Sequence, residues 1–152
     1  MIPKFRAWDK RRKEMWKVAT LHIEDEYADL FKTNIYENPF NDPWAKFEDV
    51  ILMQSTGLKD KNGVEIYEGD IVRHSQVATD ISIVRFGEFG VPNMEEQSYQ
   101  DCAVGFYYEN ASEFKDIEPF NMTVPLNSDY VKDVLVVGNI YENPELLNSG
   151  IE

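Results

Sequence analysis

The sequence predicts a mainly β protein, and three observations support this prediction. Short apolar runs rich in β-branched residues, such as Val50–Met53 and Ile81–Phe86, have the length of strands. Turn residues separate these runs, and Asn62-Gly63 is the clearest hairpin signal because both residues tolerate a positive φ. Hydrophobic residues are 43% of the chain and aromatic residues 13%, which suffices for a buried core. We therefore expect a small barrel with an N-terminal hairpin and a short helical extension. Tyr67–Val72, in which the turn at Gly69-Asp70 leads into a strand, resembles the entry of SH3-like barrels, so the barrel is expected to be SH3-like.

The first 17 residues predict the N-terminal hairpin. Lys4–Trp8 and Met15–Val18 are typical of strands, and the polar segment between them is a turn with four consecutive basic residues. This basic tip is either a solvated turn or a contact for an acidic neighbour or a phosphate. The flanking tryptophans either form a stacking platform for a nucleic-acid strand or fill the junction between hairpin and barrel. The candidate interaction surface consists of the tip and these tryptophans: Lys10, Arg11, Arg12, Lys13, Trp8 and Trp16.

Residues 20–32 predict a short amphipathic helix. Ile23, Tyr27, Leu30 and Phe31 are three or four positions apart, which is the spacing of one helical face. Acidic residues fill most of the positions between them.

Two Asn-Pro or Asp-Pro pairs then break the chain. Residues 34–49, which contain both pairs, are interpreted as a loop with a helical turn near Trp44 to Phe47. The hexapeptide NIYENP occurs at 34–39 and again at 139–144. Each copy is interpreted as a strand end followed by an Asn-Pro stop, and Asn143 is expected to cap a short C-terminal helix.

The central and C-terminal parts of the chain predict the barrel. Further strands are expected at Cys102–Tyr108 and Val134–Val137, with surface loops over 73–80, 87–101 and 109–133.

The domain prediction divides the chain at residue 50. The barrel core with a short C-terminal helix is assigned to 50–152, and the hairpin and helical segment, 1–49, are expected to pack on it as one compact unit.

The charge distribution is uneven. The net charge is −13, yet residues 1–17 carry seven Lys or Arg against two acids, while residues 18–152 carry eight against 26. An acidic body repels phosphate backbones and anionic lipid, so nucleic acid is disfavoured as a partner over most of the surface. The acidic charge serves either solubility or the binding of a basic protein.

The residues that usually carry chemistry form no recognisable site. His22, His74 and Cys102 lack the spacing of metal ligands, so we expect no metal and no cofactor. Phosphate-binding glycine loops, G-x-S-x-G and H-E-x-x-H are missing from the sequence. Cys102 lies within an apolar strand and is expected to be buried and inert. These observations predict a protein without catalytic activity.

Three segments in order resemble the YopX family of phage and prophage proteins. They are KFRAWDKRRKEMW at 4–16, GLKDKNGVEIYEGDIV at 57–72 and VVGNIYENPELL at 136–147. The biochemical function of that family is unknown. The resemblance implies a phage or prophage origin and a mainly β fold, and it supplies no active-site residues.

The function expected from the sequence is a non-enzymatic phage or prophage accessory protein that acts through protein–protein contacts. Its partner would be a host or phage protein, or a second copy of this chain. The alternative is a nucleic-acid-associated protein that uses the basic tip, and an enzyme of unknown type is the third option. No secretory signal or membrane span is visible, and a single cysteine suits a reducing compartment, so we expect the cytoplasm of the bacterial host.

Overall fold

The computed structural model describes residues 2–32, 43–93, 95, 98–112, 115–116 and 123–148. These residues form strands that pair antiparallel in two sheets, with a few short helical segments, so the mainly β prediction is confirmed. In chain order the elements are β1 (Phe5–Asp9), β2 (Glu14–His22), β3 (Tyr27–Phe31), β4 (Trp44–Lys46), a 3-10 turn (Phe47–Asp49), β5 (Val50–Lys59), β6 (Glu65–Tyr67), β7 (Asp70–Arg73), β8 (Ile81–Asn93), β9 (Ser98–Asn110), β10 (Val124–Pro125), α1 (Ser128–Val131), β11 (Leu135–Asn139) and a second 3-10 helix (Pro144–Asn148).

The chain forms two compact units, which divide between Ser55 and Thr56. We call residues 1–55 unit 1 and residues 56–152 unit 2. In unit 1 the strand order is β4-β3-β2-β1-β5. The last residues of β5 belong to unit 2, where β5 pairs with β6. The second sheet lies wholly in unit 2, in the order β10-β9-β8-β7-β11.

Small side chains build the core of unit 1. The predicted hairpin is confirmed: β1 pairs with β2, with Ala7 opposite Trp16 and Trp8 opposite Met15. β1 also pairs with β5 on its other side. The buried residues of this core come from four strands, and they are Ala7, Ala28, Leu30, Ala45 and Val50. The small alanines of β1, β3 and β4 leave room for larger side chains, such as Trp16 of β2, to pack against this core.

The predicted helix over residues 20–32 is wrong. β2 continues to His22, residues 23–26 turn, and β3 begins at Tyr27. In β3 the buried residues Ala28 and Leu30 alternate with less buried neighbours, which is the period of a strand. Of the four residues whose spacing suggested a helix, Ile23 lies in the turn and the other three lie in β3. Pairing with β2 decides the structure, because it satisfies the backbone and buries Leu30.

The next predicted helical turn is partly correct. Trp44–Lys46 is a strand rather than part of a helix, and only Phe47–Asp49 forms one 3-10 turn. The first copy of the hexapeptide, 34–39, lies outside the described residues.

The core of unit 2 joins β6, β7, β8 and β9 to the segment around α1. Its buried side chains are apolar or aromatic, and they are Ile66, Val72, Val84, Tyr108, Val131 and Val134. The closed SH3-like barrel is not found among the described residues. β10 and β11 lie at opposite edges of the second sheet and do not pair with each other. Each of these edge strands has only one neighbour among the described residues, so the sheet is open.

The region between Ile81 and Tyr108 also differs from the prediction. Residues 87–101 were expected to be a loop, but β8 and β9 each extend to 13 residues and pair as one long hairpin. Cys102 was expected to be buried and is exposed. The apolar pattern of β9 gave a wrong prediction of burial, because the hairpin is longer than the core against which it packs. Of the predicted strand 102–108, only Tyr108 is buried.

Buried polar side chains hold the turns of unit 2. Asp60, which is only 5% exposed, accepts hydrogen bonds from the backbone N–H groups of Asn62 (2.8 Å), Val64 (2.9 Å) and Val136 (2.9 Å). The tight turn predicted at Asn62-Gly63 is confirmed, with φ +80° at Gly63. One carboxylate therefore shapes this turn and joins it to β11.

The second hexapeptide copy makes a similar turn after β11. Asn139 Oδ1 accepts hydrogen bonds from the N–H groups of Tyr141 (3.0 Å) and Glu142 (2.8 Å). The predicted C-terminal helix is present as a 3-10 helix. The Asn143 side chain, expected to cap that helix, accepts from the backbone N–H of Asn139 (3.1 Å). The Asn143 side chain lies so close to Gly138 that a Cβ at Gly138 would approach Asn143 Oδ1 to 2.5 Å, so this position requires glycine.

Candidate functional site

The predicted basic tip is the turn between β1 and β2, and its four basic residues are exposed. Asp9 organises this turn. Its side chain is 1% exposed, and its Oδ1 accepts hydrogen bonds from the backbone N–H groups of Arg11 (3.0 Å) and Arg12 (3.1 Å). The N–H of Lys13 donates to the carbonyl oxygen of Asp9 (2.9 Å). The turn is therefore built around a buried carboxylate.

Both arginines of the tip pair with acids of their own unit. Arg12 donates to Asp9 Oδ2 at 2.6 Å, and Arg11 lies 3.2 Å from Asp49 Oδ1. Burial raises the pKa of the Asp9 carboxyl, but the hydrogen bonds and the charge of the arginines outweigh this effect, and the pKa falls below its ordinary value. Pairing reduces the positive charge that the tip offers to an external phosphate.

The two tryptophans of the candidate surface do not form one platform. Trp16 lies opposite Ala7 and packs against the core of unit 1, whereas Trp8 follows Ala7 in β1 and lies opposite Met15. Neighbouring residues of a strand point to opposite faces, so the two rings lie on different faces of the hairpin. The Lys32 ammonium lies over the Trp16 ring, 4.2 Å from its centroid. These contacts support the packing interpretation for Trp16.

A second surface, which the sequence did not indicate, lies on the outer face of β2, β3 and β4. We call it the aromatic face, and it comprises His22, Tyr27, Asp29 and Trp44. The His22 and Tyr27 rings stack with centroids 4.0 Å apart and planes 10° apart. Tyr27 and Trp44 meet edge to face at 5.8 Å. Trp44 is 58% exposed, and β4 is the outermost strand of its sheet.

Asp29 places a carboxylate on the aromatic face, where the exposed Lys46 lies opposite Tyr27 in the sheet. Its carboxylate lies 2.8 Å from His22 Nε2 and opposite Trp44 in the sheet. Tyr27, Asp29 and Trp44 line an open notch of about 390 Å³. Aromatic ring faces beside a carboxylate attract a cationic side chain, so this notch suits lysine or arginine from a partner. The residues come together through strand pairing, which their positions in the sequence did not reveal.

The described ranges contain no cluster of metal ligands and no membrane-spanning helix. No group of three or more His, Cys, Asp or Glu side chains there is arranged to hold a metal ion. The helices in those ranges are too short to cross a membrane.

The comparisons with known proteins now identify the family. A family model described as YopX protein matches residues 4–148. A crystal structure of protein EF1440 from Enterococcus faecalis shares 31% sequence identity with the chain and has a TM-score of 0.56. That alignment covers 97% of this chain and 99% of the other. A search of curated proteins finds no match. Because the family model spans nearly the whole chain, the protein belongs to the YopX family.

Proposed function

We propose that this protein is a phage or prophage accessory protein that acts in the host cytoplasm by binding another protein through its aromatic face, and that it does not catalyse a reaction. The observation that carries the proposal is the exposed Trp44 ring beside Tyr27 and Asp29 at the edge of a sheet. Exposed aromatic side chains are enriched at the centres of protein interfaces.

The charge of the molecule favours a basic partner. The net charge of −13, most of it in residues 56–152, raises the rate at which a basic segment meets the molecule, and Asp29 supplies the charge at the notch itself. At the notch, a lysine or arginine would lie against the Tyr27 and Trp44 rings with its charge near Asp29. One such contact contributes about 0.5–1 kcal/mol at an exposed site, so flanking contacts must supply most of the affinity.

The nucleic-acid alternative has weaker support. Arg11 and Arg12 are paired with Asp49 and Asp9, and Trp8 and Trp16 lie on different faces of the hairpin. A stacking platform needs its rings and its cations on one surface.

Co-purification from host lysate tests the proposal. The bait proteins are the wild type, Trp44→Ser, and the control Tyr130→Ser, which removes an aromatic side chain of similar exposure from unit 2. We expect the wild type and Tyr130→Ser to retain the same protein, and Trp44→Ser to lose it. High salt should release the partner, because a basic partner is held partly by charge.

Two outcomes would contradict the proposal. If all three baits retain the same proteins, the aromatic face does not bind the partner. If nuclease treatment of the lysate abolishes the capture, the protein associates with nucleic acid.

A further inference from the structure

Unit 2 contains a cavity of about 250 Å³ whose wall is unusually basic for this protein. It lies where the Asp60–Val64 turn, the end of β7 and the segment before β11 meet. The N–H of Lys61 donates to the Val134 carbonyl oxygen (3.0 Å), and Arg73 pairs with Leu135. The lining residues are Lys61, Arg73, His74, Ser75, Gln76, Asp133 and Leu135.

The concentration of positive charge in this cavity is the first observation. Residues 56–152 contain only six Lys or Arg against 18 Asp or Glu. Two of the six, Lys61 and Arg73, line this one cavity. Another, Arg85, is paired with Glu109 at 2.7 Å. In a unit of net charge −12, two cations in one wall form a local positive site within a negative field.

The second observation concerns a buried hydrogen-bond donor of the Arg73 side chain. The Nε of Arg73 is buried and has no hydrogen-bond partner among the residues that the structure describes. A buried donor of this kind is rare and often marks the place of a bound water or ion. A guanidinium presents a planar fork of N–H donors, which fits the oxygens of a carboxylate or a phosphate.

The other polar residues of the wall set the charge of the site. His74 Nε2 lies 2.8 Å from Ser82 Oγ, and burial lowers the pKa of His74 despite the nearby charge of Asp80. His74 is therefore neutral at pH 7 and offers hydrogen bonds rather than charge. Asp133 lies in the same wall and opposes an anion. Lys61 and Arg73 together outweigh it by one charge.

We propose that this cavity binds a small oxyanion, a phosphate or carboxylate group, through Lys61 and Arg73. Drug-sized ligands occupy cavities of about 300–1,000 Å³, so the volume suits an inorganic ion or the charged group of a small metabolite. The site is in unit 2 and is independent of the aromatic face in unit 1.

Backbone amide NMR titration tests this inference. The wild-type protein is titrated with inorganic phosphate and, separately, with acetate, while sodium chloride keeps the ionic strength equal to that of a chloride-only titration. We expect saturable shifts at residues 61 and 73–76 with at least one of the two oxyanions and none with chloride. The stronger ligand then identifies the preferred group.

Four variants make the assignment specific. Arg73→Gln and Lys61→Gln should each weaken binding about tenfold, because each removes a charge-assisted hydrogen bond. Asp133→Asn should strengthen binding severalfold by removing the opposing charge. Lys132→Gln is the control, because it removes one positive charge next to Asp133 in the chain without lining the cavity.

The inference is overturned if phosphate and acetate give only the shifts that chloride gives. It is also overturned if Lys132→Gln weakens binding as much as Lys61→Gln does, since the effect would then be one of net charge. If Arg73→Gln does not fold, the opposite effects expected for Lys61→Gln and Asp133→Asn still test whether the cavity binds an oxyanion.

Discussion

Single buried polar residues stabilise three turns of this protein. Asp9, Asp60 and Asn139 are buried, and each accepts at least two hydrogen bonds from backbone N–H groups of the turn that follows it. A buried N–H without an acceptor costs about 1–3 kcal/mol. All three residues lie in the segments that resemble the YopX family. These parts of the resemblance therefore include residues that the fold requires.

Asp60→Ala should lower the unfolding free energy by about 3 kcal/mol, because three N–H groups lose their acceptor at once. Urea denaturation at pH 7 measures the change. Asp60→Asn keeps one acceptor oxygen and should lose less, while Asp25→Ala, at an exposed position, should change stability by under about 0.5 kcal/mol. An Asp60→Ala loss no larger than that of Asp25→Ala would contradict this account.

The same carboxylate predicts a pH dependence. Burial raises the pKa of Asp60, but the hydrogen bonds from Val136, Val64 and Asn62 outweigh it, so the pKa lies below its ordinary value of 3.8. The unfolded chain then binds the proton first as the pH falls, so the stabilisation is present above about pH 4 and is lost below it. The difference in unfolding free energy between wild type and Asp60→Ala should shrink between pH 6 and pH 3. A constant difference would mean that the pKa of Asp60 is the same in the folded and the unfolded chain, which would contradict this prediction.

Substitution of Gly63 tests the predicted turn through backbone strain alone. Its φ is +80°, and a Cβ at this position would meet no atom within 4 Å. Gly63→Val should therefore cost about 1–2 kcal/mol from the backbone conformation, without any steric clash. Gly63→Asn should cost less, because asparagine tolerates a positive φ. Thermal melts measure both, and coinciding melts of wild type and Gly63→Val would contradict the turn.

Among the elements, the β1–β2 hairpin shows best which features depend on local sequence and which depend on tertiary contacts. Its strands and its exposed tip are predictable from apolar runs on either side of a polar turn. The pairing of Arg11 with Asp49 is not predictable, because it depends on β5 lying beside β1. The same limit applies to Tyr27–Phe31, where pairing with β2 overrides the helical spacing. The aromatic face was missed for this reason, since strand pairing alone brings Tyr27 and Trp44 together.

Two double variants of the basic tip separate the contribution of its arginines to stability from that of its lysines. Arg11→Ser with Arg12→Ser and Lys10→Ser with Lys13→Ser each remove two positive charges. The variant that lacks both arginines should lose about 1–2 kcal/mol, chiefly from the one side-chain hydrogen bond of Arg12 to the buried Asp9, since the exposed Arg11–Asp49 pair contributes little. The lysine pair should stay within about 0.5 kcal/mol of wild type. Chemical denaturation measures both.

The same variants address nucleic acid. We expect the wild type and both variants to show no retention on a DNA column at 150 mM salt, because an acidic body opposes the few cations of the tip. Salt-dependent retention of the wild type, lost in the lysine variant, would favour the nucleic-acid alternative.

At the scale of the whole molecule, charge is distributed very differently over the two units. Residues 1–55 contain nine Lys or Arg against ten Asp or Glu, a net charge of −1, whereas residues 56–152 have a net charge of −12. Composition predicted an acidic protein with a buried core but not where the chain divides. The sequence also did not predict that the second sheet is open, because the turn chemistry of Asp60 and Gly69-Asp70 is common to open sheets and closed barrels.

This asymmetry predicts that salt stabilises the two units unequally. Like charges repel within a compact unit, and the Debye length falls from roughly 20 Å at 20 mM to about 6 Å at 300 mM ionic strength. Raising sodium chloride over that range should slow amide hydrogen exchange in the core of unit 2, as at Val72 and Val84. Exchange at Ala28 and Leu30 in unit 1 should change much less. Equal slowing in both cores would show that salt acts through hydrophobic burial in general, because that effect does not depend on the net charge of a unit.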